Sequence, residues 1–315
     1  MTSRLVGLSA AVIAVAAVSA CGSTGGSGSD DGKVSVAAAF YPLEYAVSQI
    51  GGDHVRVQAL TKPGAEPHDL ELNPRQVGAV ALADLVVYEK GFQPAVDDAV
   101  RSEAPHTAFD VAPAARLDLL ATGDGHDHAG ESDQQHSDHA GAAKDPHFWL
   151  DPMRYADVGD AIATELGKRD AANAAAYTAN AKAFRAQLTT LDGEFRAGLR
   201  SCRIKDLVTS HAAFGYLSEA YGLTQESISG LTPDTEPSPS ALADLSAHVR
   251  ESGATTVYAE TLVSEDVAKT LSRETGARLA VLDPIEGITT KSAGQDYPSV
   301  MRANLATLEA GQECS

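Results

Sequence analysis

The sequence has few basic residues, few aromatic residues and no hydrophobic run long enough to cross a membrane. Its 315 residues include 24 Lys and Arg against 43 Asp and Glu, which gives a formal net charge of −19. A surface of this sign repels nucleic-acid phosphates and attracts cations, so we expect no nucleic-acid partner. The hydrophobic stretch Leu5–Val18 is shorter than the ~20 residues that a spanning helix needs, which excludes a multi-span membrane protein.

Cysteine is also scarce, with three residues at positions 21, 202 and 314 and no C-x-x-C spacing. In an oxidising compartment, two leftover thiols are best interpreted as one structural disulfide, here Cys202–Cys314. The alternative is a pair of thiolate metal ligands, which usually show closer spacing.

The N-terminus has the pattern of a signal peptide, with Arg4 followed by the apolar stretch Leu5–Val18 and by small residues. The small residues before Cys21 resemble a lipobox, in which the cysteine becomes lipidated; the alternative is a coincidental cysteine near an ordinary cleavage site. We therefore expect a signal peptide at 1–20 and a glycine- and serine-rich flexible tether at 21–33. The membrane contact would be the lipid anchor only.

From Val34 onwards, short β-branched or apolar runs alternate with helical patterns, as a doubly wound α/β fold requires. The predicted strands are Val34–Ala39, Val55–Thr61, Leu85–Glu89, Thr107–Val111, Asp206–Ser210, Leu223–Ser229, Thr255–Glu260 and Arg278–Leu282. We predict two (β/α)4 Rossmann-like lobes, at 34–169 and 201–315. A continuous apolar stripe between them predicts one long rigid linking helix at 170–200.

One segment, residues 123–145, fits neither pattern, because it contains four histidines and six acids but no large apolar residue. We expect a mobile loop there. Its histidines are weak metal-site candidates, the alternative being solvated filler: His126, His128, His136 and His139.

Three further histidines and one aspartate are candidate metal ligands. His68, His211 and Asp283 each follow a predicted strand at its carboxyl end, where ligands bind in open α/β sheets. His147 closes the irregular segment and is held by neighbouring prolines. Two of these residues fall in each lobe, so a cleft between the lobes would gather all four.

Three imidazoles and one carboxylate match four-coordinate zinc, whereas manganese prefers more oxygen ligands. Copper is not excluded by affinity, because it outranks zinc in the Irving–Williams order. Glu66 or a water could replace Asp283 as the fourth ligand. Glu260 follows a strand and is either a partner that orients a ligand imidazole or a solvated carboxylate.

Four segments resemble the metal-site segments of the zinc-type metal substrate-binding proteins of ABC importers: Gly64–Glu71, Asp145–Pro152, Thr209–Tyr216 and Val281–Pro284. The resemblance implies two lobes bridged by a long helix and the ligand set His68, His147, His211 and Asp283. In manganese relatives the position of His211 tends to hold Glu, so histidine favours zinc.

The function implied by this resemblance is capture of Zn²⁺ as transported ligand, without enzymatic chemistry. The expected partners are an ABC permease and its ATPase, with a zinc metallochaperone as a further candidate. The protein would be a monomer at the extracytoplasmic face of the membrane or in the periplasm. The alternatives are a manganese- or other divalent-metal-binding protein or adhesin of the same fold and, from another class, a zinc hydrolase. No H-E-x-x-H occurs to favour the hydrolase.

Overall fold

The computed structural model describes residues 32–120, 144–233 and 237–315 and contains two parallel sheets. The strands are Val34–Ala38 (β1), Val55–Ala59 (β2), Leu85–Tyr88 (β3), Ala108–Asp110 (β4), Asp206–Thr209 (β5), Thr224–Ser227 (β6), Thr256–Ala259 (β7) and Arg278–Val281 (β8). The first sheet has the order β2-β1-β3-β4, and its central strands β1 and β3 contain buried valines. The second sheet repeats this order as β6-β5-β7-β8. The predicted α/β fold with four strands per lobe is confirmed.

Helices cover the faces of both sheets, and several begin at a proline that follows a capping side chain. Asn73, Asp151, Ser238 and Asp296 each accept a hydrogen bond from a backbone N–H of the first helical turn. The helices are Tyr41–Gly51 (α1), Pro74–Leu82 (α2), Pro94–Glu103 (α3), Ala112–Ala115 (α4), Pro152–Arg169 (α5), Ala174–Leu199 (α6), Gly215–Tyr221 (α7), Pro239–Ser252 (α8), Asp266–Thr275 (α9) and Tyr297–Gly311 (α10).

The long helix between the sheets is α6, which follows a short 3₁₀ turn at Ala171–Asn173. Its predicted apolar stripe is fully buried: Tyr177, Ala181, Phe184, Leu188, Leu191, Phe195 and Leu199. The helix packs against α1 and α5 beside the first sheet and against α10 of the second half. A Cβ at Gly198 would lie 3.0 Å from Leu305 Cδ1, so glycine allows the close approach of α10.

One hydrophobic core extends from the first sheet along α6 to α10, and it includes Val36, Trp149, Phe195 and Met301. A smaller core under the second sheet joins Val208 and Val257 to α8 and α9. Residues Lys33–Ser315 form a single unit, and the disulfide Cys202–Cys314 ties the C-terminus to the segment before β5. The two halves are therefore held together by a shared core.

Within the described residues, no helix is both long and apolar enough to cross a membrane. The predicted signal peptide and Cys21 lie outside the described residues, and so do His126, His128, His136 and His139.

Candidate metal centre

His68 reaches the centre from the loop that follows β2. Gln93 Nε2 donates to the Pro67 carbonyl at 3.0 Å, which holds the backbone beside His68. The Phe92 ring meets the His68 ring edge to face at 4.6 Å between centroids. The loop between β3 and α3 therefore positions the histidine of the loop that follows β2.

His147 is fully buried and is fixed by the residue two positions before it. Asp145 Oδ1 accepts from the His147 backbone N–H at 2.9 Å and lies 2.7 Å from Nδ1. The His147 and Trp149 ring centroids are 5.2 Å apart, and the indole N–H donates to the Pro284 carbonyl at 2.7 Å. Asp145 was assigned to the histidine-rich loop from the sequence, but the structure buries it as a partner of His147.

His211 is held in the same way by Glu260, which follows β7. The Glu260 carboxylate accepts from the His211 backbone N–H at 3.0 Å and lies 2.6 Å from Nδ1. In both histidines, a carboxylate that accepts from Nδ1–H leaves the Nε2 lone pair directed at the centre. The structure thus gives Glu260 the contact expected of an orienting partner.

The three imidazoles meet around one carboxylate oxygen. Glu286 Oε1 lies 3.0 Å from His68 Nε2, 3.1 Å from His147 Nε2 and 3.5 Å from His211 Nε2. His147 Nε2 lies 3.3 Å from His68 Nε2 and 3.4 Å from His211 Nε2. These four side chains are the metal-capable cluster among the described residues, with all ligand atoms within 4.8 Å of one another.

The carboxylate of this cluster belongs to Glu286 and not to Asp283, the residue chosen from the sequence. Asp283 does follow β8 at the carboxyl edge and is buried, but its Oδ1 accepts the Ile285 backbone N–H at 2.8 Å. Ile285 has a φ of 59°, which is uncommon for a β-branched residue and turns the chain at this point. This turn places Glu286, three positions after Asp283, in the cluster.

Glu66 caps its own loop, since its two carboxylate oxygens accept from the backbone N–H groups of His68 at 3.0 Å and Asp69 at 3.1 Å. Its nearest approach to His68 Nε2 is 3.9 Å, and it is not among the four clustered side chains of the described chain. Burial raises the pKa of Glu66.

The ionisable side chains of the cluster interact strongly with one another because almost no water reaches them. His147, His211 and Glu286 are 0–1% exposed, and His68 is 9% exposed. Burial alone would raise the pKa of Glu286, but its hydrogen bonds to the three imidazoles hold that pKa well below the ordinary value. Burial alone would lower the pKa of His147 and His211, yet the bonds to Asp145, Glu260 and Glu286 raise both. The carboxylates therefore supply the charge that a buried cation requires.

The donor set of three ring nitrogens and one carboxylate oxygen fits a four-coordinate divalent ion with borderline-soft character. The family model for the periplasmic component A of zinc-uptake complexes, ZnuA, matches residues 36–311 of this chain. The chain belongs to this family.

Members of the ZnuA family resemble the chain over most of its length. The zinc-binding protein AdcA of Streptococcus pyogenes serotype M3 is 39% identical over 288 residues, covering 88% of this chain and 56% of AdcA. The chain thus spans about half the length of AdcA. The high-affinity zinc uptake system protein ZnuA of Bacillus subtilis is 34% identical over 298 residues, covering 93% of this chain and 92% of that protein.

A solved structure has the same fold. The Zn(II)-bound ZnuA-like domain of AdcA from Streptococcus pneumoniae matches with a TM-score of 0.72 at 32% identity, covering 90% of this chain and all of that one. The predicted resemblance to zinc-type metal substrate-binding proteins is confirmed.

Proposed function

We propose that the protein captures Zn²⁺ outside the cytoplasm through His68, His147, His211 and Glu286. The observation that carries this proposal is the convergence of three Nε2 atoms on one carboxylate oxygen in a buried cluster. Zinc is the ion that this donor set suits best, because manganese prefers more oxygen ligands. The relatives named above, which bind or take up zinc, support the same ion.

The captured ion is delivered to an ABC permease driven by its ATPase, with or without loading by a metallochaperone. The protein acts as a monomer and is attached through a lipid on Cys21. Support comes from the lipobox-like residues before Cys21 and from the family, which is described as a component of a zinc-uptake complex. A hydrolase is not supported, because four protein side chains converge on the centre and the relatives are named as binding and uptake proteins.

The direct test is metal analysis of protein purified without chelator, followed by competition among zinc, manganese and copper. We expect one tightly bound zinc per chain that manganese does not displace, whereas copper, which outranks zinc in the Irving–Williams order, should compete with it. Tight binding of manganese in preference to zinc would contradict the proposal.

Replacing Glu260 by glutamine is expected to weaken zinc binding by about 10- to 100-fold, the usual effect of losing a carboxylate that orients a ligand imidazole. Glutamine keeps the shape but removes the charge beside His211 Nδ1. Competition against a chelator of known affinity measures the change, and Glu251→Gln, an exposed carboxylate of α8, is the matched control. Equal zinc affinity in the two variants would show that Glu260 does not orient His211 for metal binding.

Deleting residues 123–143 is expected to leave the tight site intact and to remove only weakly bound zinc in excess of one ion. Leu120 and Lys144 form an antiparallel bridge, so the two ends of the segment already lie side by side. Asp145 must be retained, because it binds His147. Calorimetric titration of both chains compares the number of sites, and loss of the tight site on deletion would show that the segment contributes a ligand.

A further inference from the structure

A cavity of about 610 Å³ lies beside the metal cluster. Its lining includes His68, Glu89 and Asp110 of the first half of the chain and Thr232 of the second half. Of the four cluster residues only His68 lines it, and His68 is also the most exposed of the four. A cation that reaches the cluster through this cavity therefore meets His68 first.

Glu89 directly follows β3 at the carboxyl edge of the first sheet, the edge from which the loop with His68 also leaves. It is 3% exposed, and its Oε2 has no hydrogen-bond partner among the residues that the structure describes. An unpartnered buried carboxylate oxygen is costly and is rare in folded proteins. Such a group needs an explanation beyond packing.

The charged groups near Glu89 do not provide its carboxylate with a positively charged partner. Asp145, Asp110 and Asp97 are negative, and after burial itself they are what raises the pKa of Glu89 well above the ordinary value. Lys90 and Lys144 also line the cavity but are exposed, and within the described chain neither forms an ion pair with Glu89. A cation in the cavity would provide the missing partner and would favour the ionised form of Glu89.

We propose that Glu89 is a staging ligand, which binds a divalent cation in this cavity before the cation passes His68 into the cluster. This inference rests on the proposed zinc-binding function and adds an access route to it. The route is determined by burial, since His147, His211 and Glu286 are almost inaccessible to solvent. A carboxylate on the route replaces lost water ligands while the ion is between solvent and the final site.

A residue that binds the cation only in transit has a distinctive kinetic effect. It lowers the barrier in both directions, so its loss slows association and dissociation by the same factor and leaves the equilibrium affinity unchanged. A final ligand, or a residue that merely maintains the structure, changes the affinity instead. The ratio of the two rate constants therefore separates these roles.

The experiment is stopped-flow mixing of the metal-free full-length chain with Zn²⁺, and of the zinc-loaded chain with excess chelator. Trp149 is the only tryptophan, and its ring lies 5.2 Å from that of His147, so its fluorescence reports occupation of the cluster. A zinc-sensitive dye in parallel reactions reports free zinc directly. The variants are Glu89→Gln, the conservative Glu89→Asp and, as matched control, Glu103→Gln at an exposed position of α3.

We expect Glu89→Gln to slow both association and dissociation about tenfold, within the range by which charges in clefts alter on-rates. Glu89→Asp should recover part of the rate, and Glu103→Gln should behave as the unaltered protein. Unchanged rates in Glu89→Gln, or a loss of affinity with an unchanged association rate, would overturn the staging role. Failure of the unaltered protein to bind zinc would instead overturn the proposed function.

Discussion

Replacing Glu286 by glutamine is expected to lower the affinity for zinc by more than about 100-fold. Loss of a carboxylate that only orients a ligand costs up to ~100-fold, and loss of the carboxylate that we propose as a direct ligand should cost more. Glutamine matches glutamate in shape, but it leaves the buried ion without the carboxylate that all three Nε2 atoms surround. Chelator competition measures the affinity, and thermal unfolding without zinc verifies that the variant folds.

Asp283→Asn is the matched control for this prediction. The asparagine carbonyl oxygen can still accept the Ile285 N–H, so the turn that carries Glu286 should persist. We expect its zinc affinity to remain within a few-fold of the original. A larger loss in Asp283→Asn than in Glu286→Gln would restore Asp283 as the fourth ligand.

Removing the disulfide by the double substitution Cys202→Ala and Cys314→Ala is expected to lower the free energy of unfolding by roughly 4–5 kcal/mol. The two cysteines are 112 positions apart, so the bond restricts a large part of the unfolded chain. Urea unfolding of the zinc-free protein measures the change, because bound zinc would add its own stabilisation.

The C-terminal segment is also held without the disulfide. The Ile204 backbone N–H donates to the Gln312 carbonyl at 3.1 Å, and Gln312 Nε2 donates to the Asp206 carbonyl at 3.0 Å. The double variant should therefore fold and bind zinc at 25 °C. The unaltered protein treated with a reductant should show the same loss of stability, and an unchanged unfolding midpoint in both would refute the prediction.

The fold could be predicted well from the sequence because strand and helix periods differ and each lobe repeats the same alternation. Every predicted strand lies within one or two residues of the observed one, as with Val34–Ala38 and Arg278–Val281. The helix α6 was predicted from its stripe of large apolar residues, although Gly193 and Gly198 disfavour helix. At Gly198, which lies against α10, tertiary packing outweighs this unfavourable helix propensity.

Only those residues of the candidate site that follow predicted strands or stand in recognisable segments could be predicted from the sequence. His68 and His211 follow strands, and the structure brings both together with His147. The fourth group depends on a turn, and the positive φ of Ile285 decides that Glu286 rather than Asp283 faces the histidines. No periodic pattern encodes that turn. Asp145 was missed because the composition of the preceding segment concealed it, although its place two residues before His147 was a usable signal.

The proposed delivery to a permease requires the ion to leave the cluster, and the packing of α6 restricts how this can happen. The helix buries seven apolar side chains while it contacts α1, α5 and α10. Exposing a large apolar side chain costs about 1.5–3 kcal/mol, so detaching this helix, with its six large buried side chains, would cost roughly 9–18 kcal/mol, as much as a whole domain gains by folding. Unloading must therefore proceed by shifts of loops and side chains while the two halves stay joined.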